Sequence, residues 1–121
     1  MKDFQSIPED RIIYKTKYFF IIKDIYPVSD GHLLIISNEL KNDYFELSTN
    51  EKDNLSEAIL KAKSLIELEY NPDGYNIGMN CGEYAGQTVF HFHCHVIPRY
   101  KGDIEDPTGG VRGVIPNKMK Y

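Results

Sequence analysis

Hydrophobic positions in the first third of the chain fall into three short clusters separated by polar and turn-forming residues. "RIIYKT" and "KYFFIIKD" are rich in β-branched and aromatic side chains, which suit the pleated, half-buried surface of a strand. The polar step between them at Thr16 and Lys17 predicts a hairpin. After "YPVSDG", whose Pro27, Asp30 and Gly31 favour a turn, "HLLIIS" is apolar without alternation, the pattern of a central strand covered on both faces.

From Ser48 the period changes. Leu55, Ala58, Ile59, Ala62, Leu65 and Ile66 recur at three- and four-residue spacing and predict one amphipathic helix from about Thr49 to Glu69, with Ser48 and Glu51 as a capping box. The helix should end at "NPDG", where Pro72 has no N–H to donate and Gly74 permits left-handed backbone. Beyond it, "YNIGMNC" reads as a strand, "GEYAGQ" as a glycine-hinged loop and "TVFHFHCHVI" as a last strand closed by Pro98. The order β, β, β, α, β, β predicts an α+β fold: an antiparallel sheet of about five strands with one main helix on a face.

Composition refines this picture at a few points. A chain of 121 residues has the size of a single domain, taken as residues 1–121. A formal charge of -4 argues against general binding of nucleic acid, which needs a basic surface to displace counterions, but allows one nucleotide to bind locally. With only two cysteines, Cys81 and Cys94, reduced thiols and a cytoplasmic location are expected rather than a disulfide framework. "MKDFQSIPEDR" lacks the apolar core of a signal peptide, and no stretch approaches the roughly 20 apolar residues that cross a bilayer. Neither export nor a membrane partner is expected.

The chemistry is concentrated in "VFHFHCHVI", which places three of the four histidines at alternate positions. On a strand, His91, His93 and His95 share one face about 6.6 to 6.8 Å apart, while Phe90, Phe92, Cys94 and Val96 turn to the other and pack against the helix. An idle polar face gains nothing from neighbouring imidazoles, which repel when protonated together. A zinc site can draw two ligands from His-x-His, but three residues in line along a strand surround an ion poorly. Covalent catalysis, in which a neutral imidazole attacks while its neighbours stabilise charge, makes better use of the row. No metal or other cofactor is therefore expected, and Cys94, on the core side, should be a buried inert thiol.

"HFHCHVI" has the His-φ-His-φ-His-φ-φ form of the histidine triad (HIT) superfamily, φ being hydrophobic, and the preceding "NCGEYAGQTV" and following "VIPR" are similar to that family's approach and exit. "DIYPVSDGHLLIIS" resembles its second landmark, with Asp24 eight places before His32. The resemblance runs from about Tyr18 to Tyr100. It implies a nucleotide hydrolase that cleaves at the α-phosphorus of nucleoside phosphoramidates or dinucleoside polyphosphates and releases a nucleoside monophosphate, with purine substrates favoured. It also implies that His93 is the nucleophile that forms a nucleotidyl-histidine, that His95 donates to a phosphate oxygen, that His91 orients its neighbour in part through its carbonyl, and that His32 lies near the leaving group. Asp24 matches the residue holding the ribose hydroxyls; Asn80, Gln87 and Thr88 match positions near the phosphates or the scissile bridge.

Two physical expectations accompany these roles. An imidazole near its ordinary pKa of about 6.5 is largely neutral at pH 7, and a neighbour can stay protonated to face phosphate oxygens. Backbone N–H groups of the "AGQT" loop, with Gly82 and Gly86 allowing close approach, should add an anion site. The family's frequent homodimerisation makes a homodimer the expected state. Residues from about 101 to 121 depart from the shortest members and resemble a C-terminal extension of bacterial triad proteins, in which Arg112 either reaches substrate phosphates or pairs with a surface acid. Because the triad's last histidine is retained where the sugar-phosphate transferase branch carries glutamine, hydrolysis is favoured over transfer. The alternative is a non-catalytic purine-nucleotide-binding or sensing protein, with a zinc-binding module behind it.

Overall fold

The computed structural model describes residues 4–121. Five strands and one long helix follow each other as β1 (Ile12–Lys15), β2 (Phe19–Lys23), β3 (Leu33–Ser37), α1 (Thr49–Glu69), β4 (Gly74–Gly78) and β5 (His93–Arg99). In space the strands lie in the order β1-β2-β3-β5-β4, with every neighbouring pair antiparallel. The last strand of the chain thus inserts beside β3, in the interior of the sheet, where its side chains are held from both sides.

Alternation within the strands divides the apolar residues between two faces. Phe19, Ile21, Leu33, Ile35, Cys94 and Val96 meet Leu55, Ala58, Ala62 and Ile66 of α1 and form the larger core. Phe20, Ile22, Leu34 and Ile36 face the opposite way and are covered by Phe4 of the N-terminal segment, with Ile7, Ile12 and Val89 packed around them. All five residues of β3 are buried, as expected for a strand covered on both sides.

Helix α1 occupies the predicted span, and its first turn is closed reciprocally: the Ser48 hydroxyl accepts from the Glu51 amide at 3.1 Å, and the Glu51 carboxylate accepts from the Ser48 amide at 2.7 Å. Glu51 is only 2% exposed, and Lys41 Nζ lies 3.7 Å from it, so the buried carboxylate has a charged partner. The helix ends differently from expectation. Tyr70 is extended at φ −132°, and Gly74 is the first residue of β4 rather than a left-handed cap. Asn71, which precedes Pro72, is biased to extended backbone, so the chain leaves the helix without needing a glycine.

The last two strands also differ from their predicted bounds. β4 stops at Gly78, paired with His95, so residues before His95 have no partner on that edge, and the last pairing on the other side is His93 with Ile36 of β3. β5 accordingly begins at His93, and the chain from Thr88 to Phe92 reaches it by other bonds: the Phe92 amide donates to the Lys41 carbonyl at 2.6 Å and its carbonyl accepts from Ser37 N at 3.3 Å. Pro98 does not close the strand, which continues to Arg99. The Pro98 carbonyl accepts from the Ser29 hydroxyl, so its missing N–H also faces the β2–β3 turn, beyond the last β3 partner at Val96, and costs no ladder bond.

Residues 101–121 carry two 3-10 helices, Gly110–Val114 and Pro116–Lys118, the first of which lies against β4. Gly109 adopts φ +92°, and a Cβ there would lie 1.8 Å from the Met119 carbonyl oxygen, so the double glycine lets the tail fold back on itself. Arg112 takes neither expected role. Its guanidinium donates to the carbonyls of Met119 and Lys118 at 3.3 and 3.0 Å and lies over the Tyr121 ring.

Candidate active site

β2, β3 and β5 bring Asp24, His32, His93 and His95 to the sheet face opposite α1. Partner registers of Ile36 with His93 and Leu34 with His95 set the two rings over the apolar residues of β3. Next to them opens a cleft of about 480 Å³, lined on its apolar side by Phe4, Ile22, Leu34 and Val89, and on its polar side by Arg11, Asp24, Thr88, His93 and His95.

The triad is not a row of three displayed rings. His91 lies before the strand and is fully buried. Its Nδ1 accepts from the Phe4 amide at 3.0 Å, so the ring proton is on Nε2, which donates to the Ser37 carbonyl at 2.7 Å. His91 therefore braces the N-terminal segment and the end of β3, and reaches its neighbour through the backbone. Phe90, expected in the core, is 43% exposed, whereas Phe92, Cys94 and Val96 are buried as predicted. Burial pushes the Cys94 thiol up to about 12, which removes it as a nucleophile.

His93 Nδ1 lies 2.8 Å from the His91 carbonyl oxygen, which can only accept, so Nδ1 carries the proton and Nε2 carries the lone pair. The Phe4 ring meets the imidazole edge-on at a centroid distance of 5.1 Å and restricts its rotation. Burial holds the His93 pKa below 6.5; the His91 carbonyl opposes this without reversing it. The ring is thus a neutral base of fixed orientation.

A second chain of bonds fixes His95. The Val28 amide donates to His32 Nδ1 at 3.0 Å, and His32 Nε2 lies 2.9 Å from His95 Nδ1. Asp24 sits beside this pair, one carboxylate oxygen 3.4 Å from His32 Nε2 and 3.9 Å from His95 Nδ1, the other accepting from the Tyr26 amide at 2.8 Å. The expectation of a protonated neighbour is corrected here: burial, with His93 and His32 alongside, takes His95 down to about 4, and burial likewise lowers His32. Both shifts favour the neutral rings over the cations at pH 7.

These directions fix a pH dependence. The unfolded chain takes up protons at about 6.5, whereas the folded rings take them up only at lower pH. Stability is therefore complete above pH 6.5 and declines as pH falls toward 4. Urea unfolding at pH 7 and pH 5 should give the lower midpoint at pH 5, and equal midpoints would contradict the burial of the rings.

The 82–88 loop corrects a further expectation. Gly82 and Gly86 both adopt positive φ, but the amides of Ala85, Gly86 and Gln87 donate within the loop, to Gly82, Glu83 and Gly82 carbonyls respectively, and are not free to hold an anion. Gln87 is buried. Its side chain accepts from Gly82 N and donates to the Asn42 and Val89 carbonyls, so its amide organises the loop instead of facing a phosphate. Thr88 is exposed and lines the cleft; Asn80 is exposed beside Gly86.

Phe4, Arg11, Ile22, Leu34 and Val89 also line the cleft and were not singled out from the sequence. For a metal ion, the converging atoms among the described residues belong to Asp24, His32 and His95, within 4.8 Å of one another, not to the three triad rings. The His32–His95 hydrogen bond by itself accounts for the approach of those two rings.

Comparison with known proteins identifies the family. The HIT domain family model matches residues 6–102. The protein named bis(5'-nucleosyl)-tetraphosphatase (asymmetrical) from Schizosaccharomyces pombe is 32% identical over 96 residues, covering 79% of this chain and 53% of its own length. The AP-4-A phosphorylase of Mycobacterium tuberculosis is 30% identical over 118 residues, 95% of this chain and 60% of that protein. A crystal structure of a HIT family protein from Bacillus anthracis matches with a TM-score of 0.71 and 39% identity, over 76% of this chain and 65% of that one. The chain thus spans between about half and two thirds of each of these proteins. The five-stranded antiparallel sheet, the single long helix and the matched HIT domain model establish that this chain belongs to the HIT family.

Proposed function

We propose that this protein is a nucleotide hydrolase that acts at the α-phosphorus of nucleoside phosphoramidates or dinucleoside polyphosphates. The observation that carries the reading is the bond from His93 Nδ1 to the His91 carbonyl, because it leaves Nε2 as the one unprotonated nitrogen of that ring beside the cleft. In the first step Nε2 bonds to the α-phosphorus as the bond to the leaving group breaks, with His95 Nε2–H donating to an oxygen that gains charge. Water then attacks phosphorus, the P–N bond breaks, and a nucleoside monophosphate departs. Phe4, Ile22 and Leu34 offer an apolar wall to a flat purine, Asp24 retains lone pairs for ribose hydroxyls, and Thr88 offers its hydroxyl to the phosphates, a role in which Asn80, beside Gly86, is supported by the family resemblance alone.

Incubation with adenosine phosphoramidate and with diadenosine polyphosphates, followed by chromatography, should yield AMP, and a quench at neutral or alkaline pH should leave the nucleotide on His93. An adduct on another residue would overturn the assignment. AMP binding without turnover of either class would establish the non-catalytic alternative. Activity should survive EDTA, since no step uses a metal. The M. tuberculosis relative is named a phosphorylase, which supports inorganic phosphate as a second acceptor to be assayed beside water.

The remaining expectations belong to the same proposal. The chain forms a homodimer, for which β4, one of the two edge strands of the sheet and with Ile77 43% exposed, is the proposed pairing strand. Light scattering should give about twice the 14.0 kDa chain mass, and a monomer across micromolar concentrations would reject it. Residues 101–121 act as an extension of one domain. Cys81 and Cys94 are free thiols, as a cytoplasmic protein would have them, and among the described residues no helix is long and apolar enough to cross a membrane.

A further inference from the structure

We infer that the backbone amide of Val28, held in place by Ser29 and Tyr100, decides which nitrogen of His95 presents a proton to the cleft. An amide can only donate, so its 3.0 Å bond to His32 Nδ1 places the proton of neutral His32 on Nε2. Nε2 then donates to His95 Nδ1 at 2.9 Å, and His95 must carry its own proton on Nε2, the nitrogen left for the cleft. Asp24 favours this polarity: its nearer contact, 3.4 Å, is with the donating His32 Nε2, and the accepting His95 Nδ1 lies farther away at 3.9 Å. Reversing His32 would leave two N–H groups facing each other across the Val28 bond and turn a lone pair of His95 toward the substrate's oxygens.

The segment that carries this amide has no strand or helix of its own. It is tied at both ends. The Asp24 amide donates to the His32 carbonyl at 3.1 Å and the His32 amide to the Ser29 carbonyl at 3.2 Å. Two further bonds pin it to the end of β5: the Ser29 hydroxyl donates to the Pro98 carbonyl, and the Tyr100 hydroxyl to the Asp30 carbonyl at 2.6 Å. Ser29 and Tyr100 line neither the triad nor the cleft. They are positioning residues, acting on His95 through an amide and a second ring.

The inference rests on the proposed reaction only for its effect on turnover; the tautomers are measurable without it. Long-range proton–nitrogen NMR correlations of histidine-labelled protein should show His32 and His95 as Nε2–H tautomers. Val28→Pro removes the donor and should give both rings a population protonated on Nδ1, with kcat falling about 10²-fold if the donor is lost as from an oxyanion hole. Tyr100→Phe, which leaves the amide in place but loosens it, should shift the same signals part of the way and lower kcat by roughly tenfold with KM unchanged. If the proline variant fails to fold, the Tyr100→Phe result decides. Wild-type His32 protonated on Nδ1, or tautomers that stay unchanged in both variants, would overturn the inference. Tautomers that follow the amide in a protein that turns over no nucleotide would uphold the inference and sink the proposed reaction instead.

Discussion

Replacing His93 with alanine should lower kcat by at least about 10⁴-fold while leaving nucleotide affinity within a few fold, because the nucleophile is lost and the cleft walls are not. The size of the effect follows from how little else in the site can attack phosphorus. Cys94 faces the other core and its thiol is held protonated. Both nitrogens of His91 are bonded to backbone, and Nδ1 of His95 is bonded to His32. Of the four histidines, only His93 keeps an unbonded ring lone pair beside the cleft, on a ring fixed by the His91 carbonyl and the edge of Phe4. His95→Ala removes a donor rather than the nucleophile and should cost about 10²- to 10³-fold, the scale of a lost oxyanion-hole group. Steady-state AMP release measured beside AMP affinity separates the two. A His93→Ala enzyme within tenfold of wild type would reject covalent catalysis at this ring.

The neutral rings bear on the pH profile of that reaction. Because His93 takes a proton only below 6.5, kcat/KM should hold its plateau as pH falls through 6.5 and decline in more acid solution. A fall centred at 6.5 or above would mean that the ring is more solvated than its place beneath Phe4 implies.

Much of the fold is legible in the chain because its signals are local. Six apolar residues at three- and four-residue spacing mark the span of α1, a reciprocal cap fixes its start, and Pro72 ends it just beyond. The alternation of Phe92, Cys94 and Val96 with the histidines likewise predicts which side of β5 meets the helix. What the sequence leaves out depends on partners far away in the chain. His91 reads as a displayed ring until Phe4, 87 positions earlier, bonds to it and Ser37 takes its other nitrogen. Gln87 reads as a phosphate contact until Asn42 claims its amide. The neutrality of His95 is equally a tertiary property, since neither burial nor the nearness of His32 appears in the motif's spacing.

Phe92 is where the chemistry meets the core, and Phe92→Ala should lower stability by about 3 to 5 kcal/mol. The ring is 1% exposed and lies 6.0 Å, centroid to centroid, from Phe19 in the core beneath α1. Its backbone bonds to Lys41 and Ser37 keep that part of the chain in place, so the surroundings can collapse only partly into the void. Against a typical total of about 5 to 15 kcal/mol, this is a large share of what keeps a domain folded. The same residue separates His91 from His93, and slack there would reach the carbonyl that orients the nucleophile. Protein that remains folded at low temperature should therefore show kcat reduced by about tenfold or more, as misplacement on the ångström scale does elsewhere. Phe92→Leu, which refills most of the volume, should recover most of both losses. Urea unfolding gives the first quantity and AMP release the second. A stability loss under about 1 kcal/mol for the alanine variant would show that this ring does not fill the core, and with it would fall the claim that packing beneath the sheet aims the triad above it.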